Sequence, residues 1–146
     1  MLNGYEREFV YAYGAVSPRE GDFDWKICSQ MNTQRMNEFL DQVSRKHSGD
    51  FIVMVVDGAS SHRGKDLIIP ENIRLLSLPA YSPELNPQEH LWDEIREKQF
   101  PNRVFDSLDA VKKQLKSGLV RLTKDRNCVQ NITAWPWIVT LILKAN

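Results

Sequence analysis

Two acidic residues in the middle of the chain have surroundings typical of metal-binding carboxylates. Asp57 directly follows the apolar run Phe51–Val56, and Glu89 lies after a proline-rich loop, where Pro87 predicts the first turn of a helix. In open α/β sheets, ligands bind outside the carboxyl ends of parallel strands. Magnesium prefers oxygen ligands and usually takes one or two carboxylates together with substrate phosphates. The pair therefore predicts a divalent-metal site that acts on phosphates.

Each of these residues also has a simpler interpretation. An aspartate followed by glycine, as at Asp57, is a common turn former. Glu89 at the third helical position completes a helix cap that begins with Asn86, and it offsets the helix dipole. His62 is more often a surface or hydrogen-bonded histidine than a catalytic one. Taken singly, these residues favour structural roles, and only their combination indicates a site.

The elements expected around this pair follow from hydrophobic periodicity. The patterns predict strands over about 8–16, 22–28, 51–57 and 73–78 and helices over about 33–47, 87–98, 107–122 and 137–144. Phe51–Val56 does not alternate, which is typical of a central parallel strand covered on both faces. The order of the elements predicts an α/β fold with a mixed sheet flanked by helices, in one domain over residues 1–146.

The charge of the chain is balanced overall but uneven along its length. It contains 19 basic and 19 acidic residues, yet residues 95–126 hold nine basic residues against four acidic ones. That stretch could face a phosphate backbone, and a solvated helical surface is an equal alternative. Cys28 and Cys128 have no metal-ligand spacing and indicate reduced thiols. No apolar run is long enough for a membrane span, so we expect a cytoplasmic protein, nucleoid-associated if bacterial.

Several runs resemble the insertion-sequence transposases of the mariner-type superfamily. The run Tyr81–Trp92, Tyr-Ser-Pro-Glu-Leu-Asn-Pro-Gln-Glu-His-Leu-Trp, resembles the signature around the third acidic residue of that family. The run Asp57–His62, Asp-Gly-Ala-Ser-Ser-His, resembles the second-aspartate motif, although its glycine often corresponds to asparagine in relatives. Similar runs also occur at Pro70–Leu76, Tyr11–Pro18 and Asn102–Leu108. The chain is therefore similar to a DDE-type transposase catalytic domain over nearly its whole length.

This resemblance implies a ribonuclease-H-like fold and DNA strand cleavage and transfer with two Mg²⁺ or Mn²⁺ ions, spaced roughly 3.5–4 Å apart. Asp57 and Glu89, with 31 residues between them, map onto the second and third acids of the family's triad. Asp93 is a fallback ligand one helical turn after Glu89, and His62 and Asn86 are supporting candidates. The expected partner is DNA, as transposon ends and target. Candidate DNA contacts are Lys65, Arg96, Lys98 and Arg103.

The first acid of the triad has no counterpart in the expected place. The family carries it on a strand before the segment that begins here at Glu8, and Met1–Arg7 contains no aspartate. In a ribonuclease-H-like strand order of 3-2-1-4-5, Asp24 would lie on the outer hairpin strand, three strand spacings from the strand that ends at Asp57. Neighbouring strands are about 4.8 Å apart, so the two strands would be roughly 14 Å apart. We therefore expect a sheet that lacks its first, central strand, and a chain that is inactive alone. We also expect the chain to form a homodimer or to pair with an upstream transposase segment.

Three hypotheses remain open from the sequence. The first is a catalytic part that needs an upstream segment for activity. The second is a non-catalytic remnant or weak DNA-binding module that contacts phosphates through its basic C-terminal third. The basic residues concerned are Arg96, Lys98, Arg103, Lys112, Lys113 and Lys116. The third, a structural oligomerisation domain, leaves the Asp57 and Glu89 motifs unexplained.

Overall fold

A computed structural model describes residues 10–56, 65–77, 88–100 and 107–133 of the chain. The elements of the described residues are β1 (Tyr11–Ser17), β2 (Asp22–Cys28), α1 (Thr33–Lys46), β3 (Ile52–Val56), β4 (Ile73–Ser77), α2 (Gln88–Gln99), α3 (Leu108–Lys124) and α4 (Arg126–Thr133). This mixture of strands and helices confirms the α/β class. The predicted helix at 137–144 lies outside the described residues. None of the described helices has the length and apolar character needed to cross a membrane.

Strands β1 and β2 form an antiparallel hairpin. Tyr11 lies opposite Cys28 at its open end, and Ser17 lies opposite Asp22 beside the turn. In that turn the backbone N–H of Gly21 donates to the carbonyl oxygen of Ser17 at 2.7 Å. Gly21 has a φ of +77°, in the left-handed region that favours glycine. The turn chemistry of Pro18 and Gly21 therefore connects two strands, as the sequence predicts.

Gly21→Ala is expected to destabilise the protein by about 2 kcal/mol, because the new residue would be strained at positive φ. A Cβ atom there would also lie 2.5 Å from the carbonyl oxygen of Arg126, at the start of α4. The matched control is Gly49→Ala, since a Cβ atom at Gly49 has no neighbour within 4 Å. Urea unfolding followed by circular dichroism measures both variants. Equal losses of stability would contradict the prediction.

Helix α1 packs on one face of the hairpin. It begins after the N-cap Asn32, whose side-chain oxygen accepts a hydrogen bond from the backbone N–H of Arg35 at 2.9 Å. The buried residues of this core are Met36, Phe39, Leu40 and Val43 of α1, Tyr13 and Cys28 of the hairpin, and Ile73 of β4. Helix α1 thus joins the hairpin to the parallel strands.

The other face of the hairpin packs against the three later helices. Phe23 of β2 is buried there, and its ring meets the Trp92 ring edge-on, with 6.2 Å between the centroids. The remaining buried residues of this core are Leu91, Ile95, Leu119, Leu122 and Val129. The hairpin is therefore the middle layer between α1 and the pair α2 and α3. Helix α4, which also packs on this side, was not predicted from the sequence.

Strands β3 and β4 pair in parallel, with Ile52 opposite Ile73 and Val56 opposite Ser77. Within the described residues, no backbone pairing joins β1 to β3, so two separate two-stranded sheets are present. The antiparallel and the parallel parts of the expected mixed sheet are both present. In the described residues they are connected through helix α1 and not through a hydrogen-bonded strand pair.

The outer face of β3 is open to solvent. Ile52 and Met54 pack towards α1, whereas Val53 and Val55 are 52% and 48% exposed. The prediction that this strand is covered on both faces is wrong. An apolar strand of this kind is expected to have helices packed on both of its faces. In the described residues, however, α2, α3 and α4 pack on the hairpin and not on β3.

Candidate active site

Strand β3 ends one residue before Asp57 in the sequence. Parallel strands place their carboxyl ends at the same edge of a sheet, and β3 ends there with Val56 opposite Ser77 of β4. Val56 is 7% exposed, so the chain reaches this edge from a buried position. Asp57 is the next residue in sequence. It lies outside the described residues, as do the supporting candidates His62 and Asn86 and the candidate DNA contact Arg103.

Glu89 lies in the first turn of α2 and is half-buried. Its helix is held against the hairpin by Leu91 and Ile95, which are 0% and 3% exposed. A carboxylate in the first turn interacts favourably with the helix dipole, by roughly 0.3–1 kcal/mol. This structural role and a metal-binding role both need an ionised side chain at the helix start, so they are compatible.

The described residues alone do not form a metal site. Among them, no group of three or more His, Cys, Asp or Glu side chains is arranged to hold a metal ion. A site built on Glu89 therefore needs donors from beyond these residues, and Asp57 is the candidate donor. Both side chains supply the hard oxygen donors that Mg²⁺ and Mn²⁺ prefer. The chemistry of the donor set fits these ions.

Asp93, the fallback ligand, pairs with a candidate DNA contact. Its carboxylate accepts a hydrogen bond from Arg96 one turn further along α2, and the side chains are 58% and 64% exposed. Each residue thereby offsets the charge of the other. Lys65 and Lys98, the other described DNA-contact candidates, are exposed and form no ion pair with another described residue.

Asp24 is a buried carboxylate whose partners the sequence analysis missed. It is 5% exposed; its Oδ1 accepts from Nζ of Lys46 at 2.6 Å, and its Oδ2 lies 2.7 Å from Nε2 of His47. Both partners are at the end of α1, so this cluster ties β2 to that helix. Asp24 is thus engaged in a structural contact on the α1 side of the hairpin. The adjacent Lys and His at the end of α1 were the available sequence signal.

Asp24→Asn is expected to lower the free energy of unfolding by about 2 kcal/mol. The amide keeps the shape of the side chain but loses both charge-assisted contacts, and the half-exposed Lys46 limits the loss through solvent screening. Asp41→Asn is the control, because the pair of Asp41 with Arg45 is largely exposed and contributes less than about 0.5 kcal/mol. Thermal unfolding measures both. Losses of equal size would contradict the assignment of a stabilising role to the Asp24 cluster.

The two cysteines are free. Burial raises the pKa of the Cys28 thiol, and it also raises the pKa of the Cys128 thiol, with a smaller contribution from Asp125. Since the thiolate is the nucleophile and the metal ligand, thiols that stay protonated are poorly reactive. Both thiols are therefore expected to react slowly.

Comparison with known proteins identifies the family. The family of DDE superfamily endonucleases matches residues 3–112, a segment that contains both Asp57 and Glu89. An uncharacterized protein of Sinorhizobium fredii, y4pE/y4sA, is 36% identical over 104 residues, which cover 70% of this chain and 77% of that protein. No solved structure matches the chain. The family match extends over well more than half of the sequence, so the chain belongs to the DDE endonuclease superfamily.

Proposed function

We propose that the chain is part of the catalytic domain of a mariner-type DDE transposase, which cleaves and joins DNA strands with two Mg²⁺ or Mn²⁺ ions. The observation that carries this proposal is the family match over a segment that contains both Asp57 and Glu89. The fold supports it, because Asp57 directly follows the buried end of a parallel strand and Glu89 begins a helix anchored in the core. DNA, as transposon ends and target, is the proposed substrate.

In this proposal the two carboxylates hold the metal ions. The ions, when bound, would stabilise the attacking and leaving oxygens of the phosphoryl transfer. The pairing of β3 with β4 holds the backbone that leads to Asp57, and the buried residues of α2 hold Glu89. His62 and Asn86 remain proposed supporting residues, and Lys65, Arg96, Lys98 and Arg103 remain proposed DNA contacts.

We further propose that the third carboxylate of the site, which is the first acid of the family's triad, comes from a strand that an upstream transposase segment or a second copy of the chain contributes. The support is the strand pairing, because in the described part of the chain β1 pairs with β2 and β3 pairs with β4, and no pairing joins β1 to β3. A strand between β1 and β3 would give both a ladder partner, and buried backbone groups without partners cost roughly 1–3 kcal/mol each. An upstream transposase segment or a second copy of the chain would supply that strand.

The first experiment locates the metal site without relying on activity. Purified chain is loaded with Fe²⁺ and treated with ascorbate and peroxide, so that hydroxyl radicals cut the backbone beside the bound ion. Mass spectrometry then maps the cuts. We expect one cluster of cuts around residue 57 and another around residue 89, both suppressed by excess Mg²⁺. Diffuse cutting with no preference for these positions would overturn the proposed metal site.

The second experiment tests DNA cleavage. Supercoiled plasmid is incubated with the chain and Mg²⁺, Mn²⁺ or EDTA, and conversion to the nicked form is measured. We expect little nicking by the chain alone. Robust metal-dependent nicking would overturn the proposal that another segment supplies the third carboxylate, but it would support the assignment of nuclease activity. Salt-dependent DNA binding, with neither localised Fe²⁺ cuts nor nicking, would instead support a non-catalytic DNA-binding remnant.

A further inference from the structure

Three lysines on the exposed side of α3 form a basic surface, here called the α3 ridge: Lys113, Lys116 and Lys124. Lys116 is three positions after Lys113, and Lys124 is eight positions after Lys116. These spacings place all three on one side of a helix with 3.6 residues per turn. The opposite side of α3 carries Leu119 and Leu122, both fully buried against the hairpin and α2. The packing of that side therefore fixes the direction in which the ridge faces.

Within the described residues, no ion pair offsets the charge of the α3 ridge. Six Lys and Arg side chains form ion pairs with other described residues: Lys26, Arg35, Arg45, Lys46, Arg96 and Arg126. No ridge lysine forms an ion pair with another described residue. The exposed residues of α3 include four cations, the ridge and Arg121, against one carboxylate, Asp109. A chain of zero net charge thus concentrates positive charge on one helix.

A purely structural role explains only part of this surface. Lys124 and Arg121 lie in the last turn of α3, where cations stabilise the helix dipole. Lys113 lies in the first half of the helix and Lys116 lies at its centre, beyond the last turn to which that effect is confined. In α1, Arg45 pairs with Asp41, and in α2, Arg96 pairs with Asp93. Lys98 of α2 forms no ion pair with another described residue, but it lies in the last turn, where the helix dipole favours a cation. The charge of Lys113 and Lys116, which no described residue pairs with, therefore fits an external anion.

The length and chemistry of the ridge fit a nucleic-acid backbone. From Lys113 to Lys124 the helix rises by roughly 16 Å. Along one strand of duplex DNA, phosphates recur about every 3.4 Å of helix axis, so the ridge spans roughly five of them. Lysine is a flexible point charge that binds phosphate without reading base edges. A regular polyanion such as duplex DNA matches this arrangement.

We propose that the α3 ridge binds the phosphate backbone of duplex DNA, independently of sequence and apart from the carboxylates of the candidate active site. The choice of DNA as the polyanion rests on the proposed function. The ridge would then hold DNA that the active site processes, with electrostatic attraction as its main contribution.

The test measures how salt affects DNA binding by the full chain. A short fluorescein-labelled duplex of mixed sequence is titrated in EDTA, with potassium chloride between 50 and 200 mM, and anisotropy is recorded. The ridge variant carries Lys113→Gln, Lys116→Gln and Lys124→Gln. The matched control carries Arg19→Gln, Arg45→Gln and Arg74→Gln, three exposed sites outside α3 with the same loss of charge. Circular dichroism verifies that both variants are folded.

Loss of three phosphate contacts should reduce the slope of log affinity against log salt by about three, because each contact contributes about 0.9. The affinity advantage of the unmodified chain over the ridge variant should then shrink about 40-fold from 50 to 200 mM salt. The control should change the slope by less than about one, and lysine-to-arginine replacement of the ridge should preserve it. Equal slope changes in ridge variant and control, or no DNA binding by the unmodified chain, would overturn the proposal.

The DNA-binding test of the α3 ridge and the Fe²⁺ test of the metal site can fail independently of each other. The ridge variant retains both carboxylates, so its Fe²⁺-directed cuts should match those of the unmodified chain. Absent cuts in the unmodified chain, combined with a ridge-dependent salt slope, would reject the metal site and support the ridge. Localised cuts with a slope that the ridge substitutions leave unchanged would reject the ridge and support the metal site.

Discussion

Glu89→Gln should eliminate Fe²⁺-directed cutting near residues 57 and 89 and lower DNA nicking about 10³-fold in the assembly that supplies the third carboxylate. Glutamine keeps the size of the side chain but replaces a charged oxygen donor with a neutral amide. Metal ions contribute several kcal/mol of charge stabilisation to phosphoryl transfer, and about 1.4 kcal/mol corresponds to a tenfold change in rate. A loss of about 4 kcal/mol gives the expected thousandfold decrease.

Glu97→Gln is the matched control for this substitution. Glu97 lies on the same helix, is exposed, and undergoes the same change of residue and charge. It should leave the cut pattern and the nicking rate within about twofold of those of the unmodified chain, since surface changes away from a site are nearly neutral. If Glu89→Gln behaves like Glu97→Gln, Glu89 does not bind the metal ions.

Asp93→Asn separates the preferred ligand from its alternative. Asp93 is one turn after Glu89, and its carboxylate is engaged by Arg96. Because Arg96 engages the Asp93 carboxylate, this substitution should leave the Fe²⁺ cuts in place. Loss of the cuts in Asp93→Asn, together with their retention in Glu89→Gln, would assign the role of metal ligand on α2 to Asp93 and not to Glu89. The two variants together therefore identify the ligand on α2.

Helices and strands were predictable where their sequence pattern lies within a few neighbouring residues. Helix α1 follows from the spacing of its apolar residues and from Asn32, whose capping hydrogen bond needs only the next three residues. Helix α4 had a comparable signal that the sequence analysis did not use. Asp125 precedes it, and the Asp125 side chain accepts a hydrogen bond from the backbone N–H of Cys128 at 3.0 Å. Short helices are difficult to recognise by periodicity alone, because eight residues give barely two turns.

Tertiary contacts were not predictable from the same patterns. The apolar run of β3 indicates a strand, but which face is covered depends on where distant helices pack, and Val53 and Val55 are exposed. The ion pair of Asp24 with Lys46 joins residues on different elements and depends on the position of α1 over the hairpin. The candidate site illustrates the same limit, because the roles of Asp57 and Glu89 were inferred from a family motif, while periodicity placed only their strand and helix.

Phe39→Ala should lower the free energy of unfolding by about 4 kcal/mol, the typical cost of removing a large buried aromatic side chain. Phe39 is 2% exposed, and its ring stacks on that of Tyr13 with 5.6 Å between the centroids. This loss is a large part of the roughly 5–15 kcal/mol by which domains are stable. Gln34→Ala, on the exposed side of α1, is the control and should cost less than about 0.5 kcal/mol.

Hydrogen exchange should show where the stability is lost. Phe39 belongs to the core that joins α1 to the hairpin and to β4, whereas Leu119 belongs to the core beneath α2 and α3. Phe39→Ala should therefore accelerate amide exchange in β3 and β4 more than in α2, and Leu119→Ala should have the reverse effect. The parallel strands lead to Asp57, so Phe39→Ala should also weaken Fe²⁺ cutting around residue 57. Uniform acceleration in both variants would mean that the two cores unfold as one unit, and that α1 does not specifically support the strand before the candidate metal ligand.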